Sequence, residues 1–98
     1  MTDVPPGEEI PSRTGLLPAY PNPFNSSTTI TYELDKGGPV DMALYDVLGR
    51  RITVLSHGRQ EVGVHRVRLD AQRLASGLFF VRLAVPGKVF VDKVLLVK

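Results

Sequence analysis

Between Ser27 and Leu34 the chain reads STTITYEL, with Ile30, Tyr32 and Leu34 alternating with Thr29, Thr31 and Glu33. A period of two marks a strand with one buried face. The alternation returns at Val40 to Tyr45, with Val40, Met42 and Leu44 on one side. Arg51 to Leu55 repeats it with Ile52 and Val54 inward, and Val64 to Leu69 with Val67 and Leu69 inward and Arg66 and Arg68 outward. Leu78 to Val85 sets Phe79, Val81 and Leu83 against Arg82. In the last run, Val89 to Val97, the adjacent Asp92 and Lys93 give each face one charge. The near-continuous Val94 to Val97 within it reads as covered on both sides. Leu16 to Tyr20 reads as a short edge strand, since Pro18 has no N–H to give a central ladder.

The connections carry turn chemistry. Pro21-Asn22-Pro23-Phe24-Asn25 reads as a rigid loop with Phe24 tucked into the end of the core. Asp35 to Pro39 reads as a turn. Asp46-Val47-Leu48-Gly49-Arg50 predicts a type I turn, with Asp46 accepting backbone N–H groups and Gly49 in the left-handed conformation of a bulge. Ser56 to Gly63 reads as a polar loop. Asp70 to Gly77 is the one helix-like stretch and is too short to stand alone. It reads as a turn or a single helical turn with Leu74 toward the core. Seven short strands at this spacing, with no long helix, predict an all-β, immunoglobulin-like antiparallel sandwich.

Composition fits one soluble domain: 98 residues, 43% hydrophobic and 22% charged. Six of the eight prolines fall by position 23, and residues 1–15 have no hydrophobic period. Residues 1–15 therefore read as a flexible linker and 16–98 as the domain. The linker has a balance of −2 and the rest +4, with no dense basic run, so no nucleic-acid partner is expected. The acidic, Pro-rich start is no signal peptide, and Met1 reads as the start of a piece excised from a longer chain. No run is long and apolar enough for a membrane helix.

Candidate chemistry is sparse. There is no cysteine, which excludes disulfides and thiol nucleophiles. His57 and His65, the only histidines, show no metal-ligand spacing and read as surface residues. Ser76 lacks a nucleophile elbow and reads, with Gly77, as a turn residue. Gly37-Gly38 lacks the lysine and helix start of a phosphate loop. The seven aromatic residues are assigned to packing rather than to a sugar-binding platform, and there is no Trp. No catalytic residue, metal, cofactor or small-molecule substrate is expected, and the chain reads as non-enzymatic.

From Leu17 onward a set of pieces recurs in order: Tyr20-Pro21-Asn22-Pro23-Phe24-Asn25, Thr28-Thr29-Ile30, Leu44-Tyr45-Asp46 with Leu48-Gly49-Arg50, and Gly63-Val64-His65. Leu74-Ala75-Ser76-Gly77-Leu78-Phe79-Phe80 follows, then Lys93 with Leu95-Leu96-Val97-Lys98. Together they resemble the type A C-terminal sorting domain of type IX secretion cargo, a class related to the immunoglobulin-like domain of flagellar hook-capping proteins. One departure is Phe79, where the family often has Tyr in a Gly-x-Tyr-Phe run. It keeps the ring and drops a hydroxyl.

The resemblance implies a non-catalytic domain fused behind a cargo that passes through the periplasm. It implies recognition by an outer-membrane translocon, removal by a sortase-like peptidase in or near the linker, and delivery to the cell surface or medium. It places recognition on Lys93, Val94, Leu95, Leu96, Val97 and Lys98. Pro21, Asn22, Pro23, Asp46, Gly49, Arg50 and Gly77 are structural turn residues. Two other readings stand beside it: an accessory immunoglobulin-like module of a secreted enzyme, serving as spacer or sugar binder, and a hook-capping-type structural domain. A chain that stops inside its own sheet either needs that strand to fold or presents it to a partner.

Overall fold

Alternation of the kind described above yields seven strands in the computed structural model, which describes residues 10–98. They are β1 (Gly15–Leu16), β2 (Ser27–Leu34), β3 (Gly38–Tyr45), β4 (Arg51–Gln60), β5 (Gly63–Asp70), β6 (Gly77–Val85) and β7 (Lys88–Leu96). A three-stranded sheet has the order β1-β2-β5, and a four-stranded sheet has the order β4-β3-β6-β7. All strand pairs are antiparallel. The fold is the expected all-β sandwich, and Asp70 to Gly77 is a turn, with the Leu74 N–H donating to the Ala71 carbonyl.

The inner faces meet in one core. β2 contributes Ile30, Tyr32 and Leu34, β3 contributes Val40, Met42 and Leu44, and β6 contributes Phe79, Val81 and Leu83. Leu69, Val94 and Leu96 complete it from β5 and β7. Each is an inward position of a period-two strand, and full burial of such a side chain is worth about 1.5–3 kcal/mol. Phe24 closes one end, as the rigid loop predicts.

Residues 1–15, the expected linker, fall largely outside the described residues. Where the two overlap, the Thr14 hydroxyl donates to Asp35 Oδ1 (2.7 Å) and accepts from the Asp35 N–H (3.1 Å). Gly15 pairs with Glu33. The chain from Gly15 to Tyr20 follows the outer edge of β2, then crosses to the other sheet, where Phe24 bridges Leu96 in parallel.

Five sequence expectations are corrected. Ile52 and Val54 do not point inward; they are 40% and 48% exposed. The pairing of β3 with β4 shifts register between Met42 and Ala43 and again between Leu44 and Tyr45. Leu55 and Ile52 are the residues skipped, and each bulge inverts the alternation.

Ser56 to Gly63 is not a loop, because β4 runs on to Gln60. Its inward polar side chains are satisfied from within. The Tyr32 hydroxyl lies 3.0 Å from Ser56 Oγ and donates to Gln60 Oε1 at 3.2 Å.

Val94 to Val97 is covered on one side only. Val94 and Leu96 are buried, while Leu95 and Val97 are 39% and 53% exposed.

Tyr20 is not a packing residue but 81% exposed, because Ala19 takes the inward position beside it.

His65 lies half-buried on the inner side of β5, opposite Tyr32, with the two rings stacked at 5.1 Å. Only His57 is a surface histidine.

Candidate functional site

The stretch singled out by sequence, Lys93 to Lys98, forms the second half of β7 and its end. β7 is an outer strand of the four-stranded sheet, paired on one side with β6. An outer strand leaves a row of backbone N–H and C=O groups open on its far side. From Lys93 onward that row is covered by the Pro-Asn-Pro-Phe loop. Asn22 Nδ2 donates to the Lys93 carbonyl at 2.9 Å, and the Leu95 N–H donates to Asn22 Oδ1 at 2.9 Å. One carboxamide thus replaces a missing neighbouring strand. Phe24 continues the cover: its N–H donates to the Leu95 carbonyl and its carbonyl accepts from the Val97 N–H, both at 2.9 Å. The Lys98 N–H then donates to Ser76 Oγ at 3.0 Å.

The loop is itself fixed. The peptides Tyr20-Pro21 and Asn22-Pro23 are cis. The Thr28 hydroxyl, on a buried side chain, donates to the Pro21 carbonyl at 2.6 Å. Further along β7, Asp92 points inward and its Oδ2 accepts from the Ala19 N–H at 3.3 Å. An inward charge is one of the devices that keep an edge strand from recruiting another.

Over Lys93 to Val97, where both edges are occupied, β7 offers only side chains. The alternation divides them. Val94 and Leu96 are core, whereas Lys93, Leu95, Val97 and Lys98 are exposed. The six recognition residues expected from sequence are therefore two structural residues and four presented ones. Gly77 opens β6 opposite Leu96.

Asp46, Gly49 and Arg50 form the β3–β4 turn, at the same end of the sheet but separated from β7 by β6, since Tyr45 pairs with Phe80 and Phe80 with Lys93. Asp46 Oδ1 accepts from the N–H groups of Leu48 and Arg50, both at 2.9 Å, and Oδ2 accepts from Arg50 Nε at 2.8 Å. Gly49 has φ 81°, as the bulge requires. The Arg50 N–H, its guanidinium and the Leu48 N–H hold the Asp46 carboxyl below the ordinary carboxylate value.

Sequence reasoning took Pro21, Asn22 and Pro23 as turn residues and missed the side-chain role of Asn22. Ala19 and Ser76, which bond Asp92 and Lys98, were also missed as partners of the last strand. Among the described residues, no three His, Asp or Glu side chains converge as a metal site would require.

The model of one family, described as the secretion system C-terminal sorting domain, matches residues 18–98. The chain belongs to this family. It is a C-terminal sorting signal of type IX secretion, fused behind a cargo and engaging the secretion machinery to bring that cargo to the cell surface or medium. Such a family points to a non-catalytic role. Searches among curated proteins and among solved structures found no match. The sorting domain's last strand and its loop cover are two of the pieces that carried the resemblance.

Proposed function

We propose that the secretion machinery reads this signal from the surface of the folded sandwich, through the outward side chains of Lys93, Leu95, Val97 and Lys98. Val94 and Leu96 serve recognition only by holding the strand in place. One observation carries the reading: the Lys93–Val97 edge is bonded to β6 on one side and to Asn22 and Phe24 on the other. Its backbone has no free row for a receptor strand, and two of its five side chains, Val94 and Leu96, are in the core.

In this reading the cargo, fused ahead of residues 1–15, passes through the periplasm. The outer-membrane translocon binds the domain, and a sortase-like peptidase cuts in or near the linker. The domain catalyses nothing itself.

The test is a reporter carrying an export signal, fused ahead of the full 98-residue chain and expressed in cells with type IX secretion. Removal of Lys93 to Lys98 should leave the reporter in the periplasm. The informative variant is Leu95→Ser with Val97→Ser, which spares the core. It should keep the melting temperature within a few degrees and still block surface display. Display at the wild-type level from this folded variant would sink the reading.

A further inference from the structure

The two outer faces of the sandwich differ. On the three-stranded sheet, the outward residues of the β2–β5 pair include Thr29, Arg66 and Arg68, and no large hydrophobic residue of β2 or β5 is exposed. On the four-stranded sheet the opposite holds. Directly paired residues share a face, so the registers define its rows. Val54, Ala43, Arg82 and Val91 form one row. Arg51, Tyr45, Phe80 and Lys93 form the next, and Leu78 with Leu95 lies beyond it. Val54, Leu78, Val91 and Leu95 are all exposed. Ala43 is buried among them, while half-buried Tyr45 and Phe80 lie between their rows, and an exposed apolar cluster rimmed by charge is the kind of surface that marks an interaction site.

Its charge selects the partner. Arg51 is paired with Asp41 at 3.2 Å. Among the described residues, Arg82 and Lys93 have no ion-pair partner, although both stand in the apolar rows. Two copies meeting through this face would set these cations against each other, which disfavours a dimer. Anionic membranes attract denser clusters, of about 4–8 Lys or Arg. A protein interface instead combines apolar and aromatic residues with Arg. Strand spacing and rise give the face about 500 Å². That is below the roughly 800 Å² per partner of a stable complex and fits a transient one.

We propose that the whole outer face of the four-stranded sheet is the docking surface for the secretion machinery. The partner protein meets it with an acidic surface around an apolar centre. Arg82, outside the last strand, supplies the charge contact that fixes specificity, and Lys93 supplies the second. This rests on the reading of β7 as the presented strand and extends it across β6 to β3 and β4.

The experiment uses the same reporter fusion with Arg82→Glu, which leaves the tail untouched. Surface display should fall roughly tenfold or more, as a like-charge contact demands. Arg82→Lys should keep most of it. Arg66→Glu with Arg68→Glu, on the opposite face, should export normally. If Leu95→Ser with Val97→Ser blocks display while Arg82→Glu does not, this proposal fails and the tail reading stands. If Arg82→Glu and the opposite-face variant fall equally, the effect is net charge and the proposal also fails. The purified chain should sediment as a monomer and leave phosphatidylglycerol-containing vesicles unbound. A dimer, or vesicle binding, that Arg82→Glu abolishes would assign the face to a second copy or to lipid and overturn the proposal.

Discussion

Asn22 and Asp46 perform the same chemistry at opposite scales. Each is a short polar side chain that satisfies two backbone groups a strand cannot satisfy alone. Asp46 reaches the N–H groups of Leu48 and Arg50, two and four residues away. Asn22 reaches the carbonyl of Lys93 and the N–H of Leu95, 71 and 73 residues away. The first closes a hairpin whose loop-closure cost is small, so its turn can form with β3 and β4 alone. The second requires both ends of the domain in place. β7 therefore gains its second edge partner only once the sandwich is assembled, and its outward side chains are displayed in register only then. A local cap builds a turn, while a distant one ties the presented strand to completion of the fold.

The sharpest way to break this comparison is to remove the core anchor of β7. Leu96→Ala should cost about 2–5 kcal/mol, because Leu96 is fully buried and its cavity is walled by the rigid loop end and β6. Urea denaturation would measure it. Asn22→Ala should cost less, about 1–2 kcal/mol for two hydrogen bonds at the protein surface. Its signature is local: hydrogen exchange at the Leu95 amide should quicken well beyond that at Val94, which β6 and the core protect. Equal stability losses in the two variants would show that the cap, and not the core, holds the strand. Unchanged Leu95 exchange in Asn22→Ala would show that the cap holds nothing.

The same difference of scale explains what could be read from the sequence. Inward positions of β2, β3 and β6 follow from alternation alone, and Phe79, Val81 and Leu83 lie where a period of two puts them. The Asp46–Gly49 turn is legible because all its partners sit within five residues. Ile52 and Val54 were misplaced because a bulge is a property of a strand pair, and only the partner β3 reveals it. Ser56 to Gln60 looked like loop because its polarity answers Tyr32, a partner more than twenty residues away. By resemblance alone, Lys93 to Lys98 is the expected recognition end. Which of its residues face outward depended on Asp92 taking the inward position against Ala19. Nothing in the spacing of Asn22 and Leu95 announces their contact.

The smallest expected effect concerns the local cap. The Asp46 carboxyl titrates below its ordinary value of about 3.9 in the folded chain, with the Arg50 N–H as the main cause. A depressed folded value means stability that is fully present above the unfolded value and lost as pH falls through the folded one. Asp46→Asn keeps an oxygen for the Leu48 and Arg50 N–H groups but removes the charge and the acceptor for Arg50 Nε. The variant should therefore melt slightly below the wild type at pH 6–7. The gap should close as pH falls below about 4, where protonated Asp46 is as neutral as Asn. Melting curves of both proteins across that range decide it. A gap that stays constant with pH would mean that the charge does nothing and that the turn rests on hydrogen-bond geometry and on Gly49 alone. A gap that widened in acid would reverse the sign and contradict the depressed value. Because the Asp46 side chain bonds only Leu48 and Arg50 and none of Lys93 to Lys98, reporter display should be unchanged in this variant. That separates a cap that shapes a hairpin from one that positions a signal.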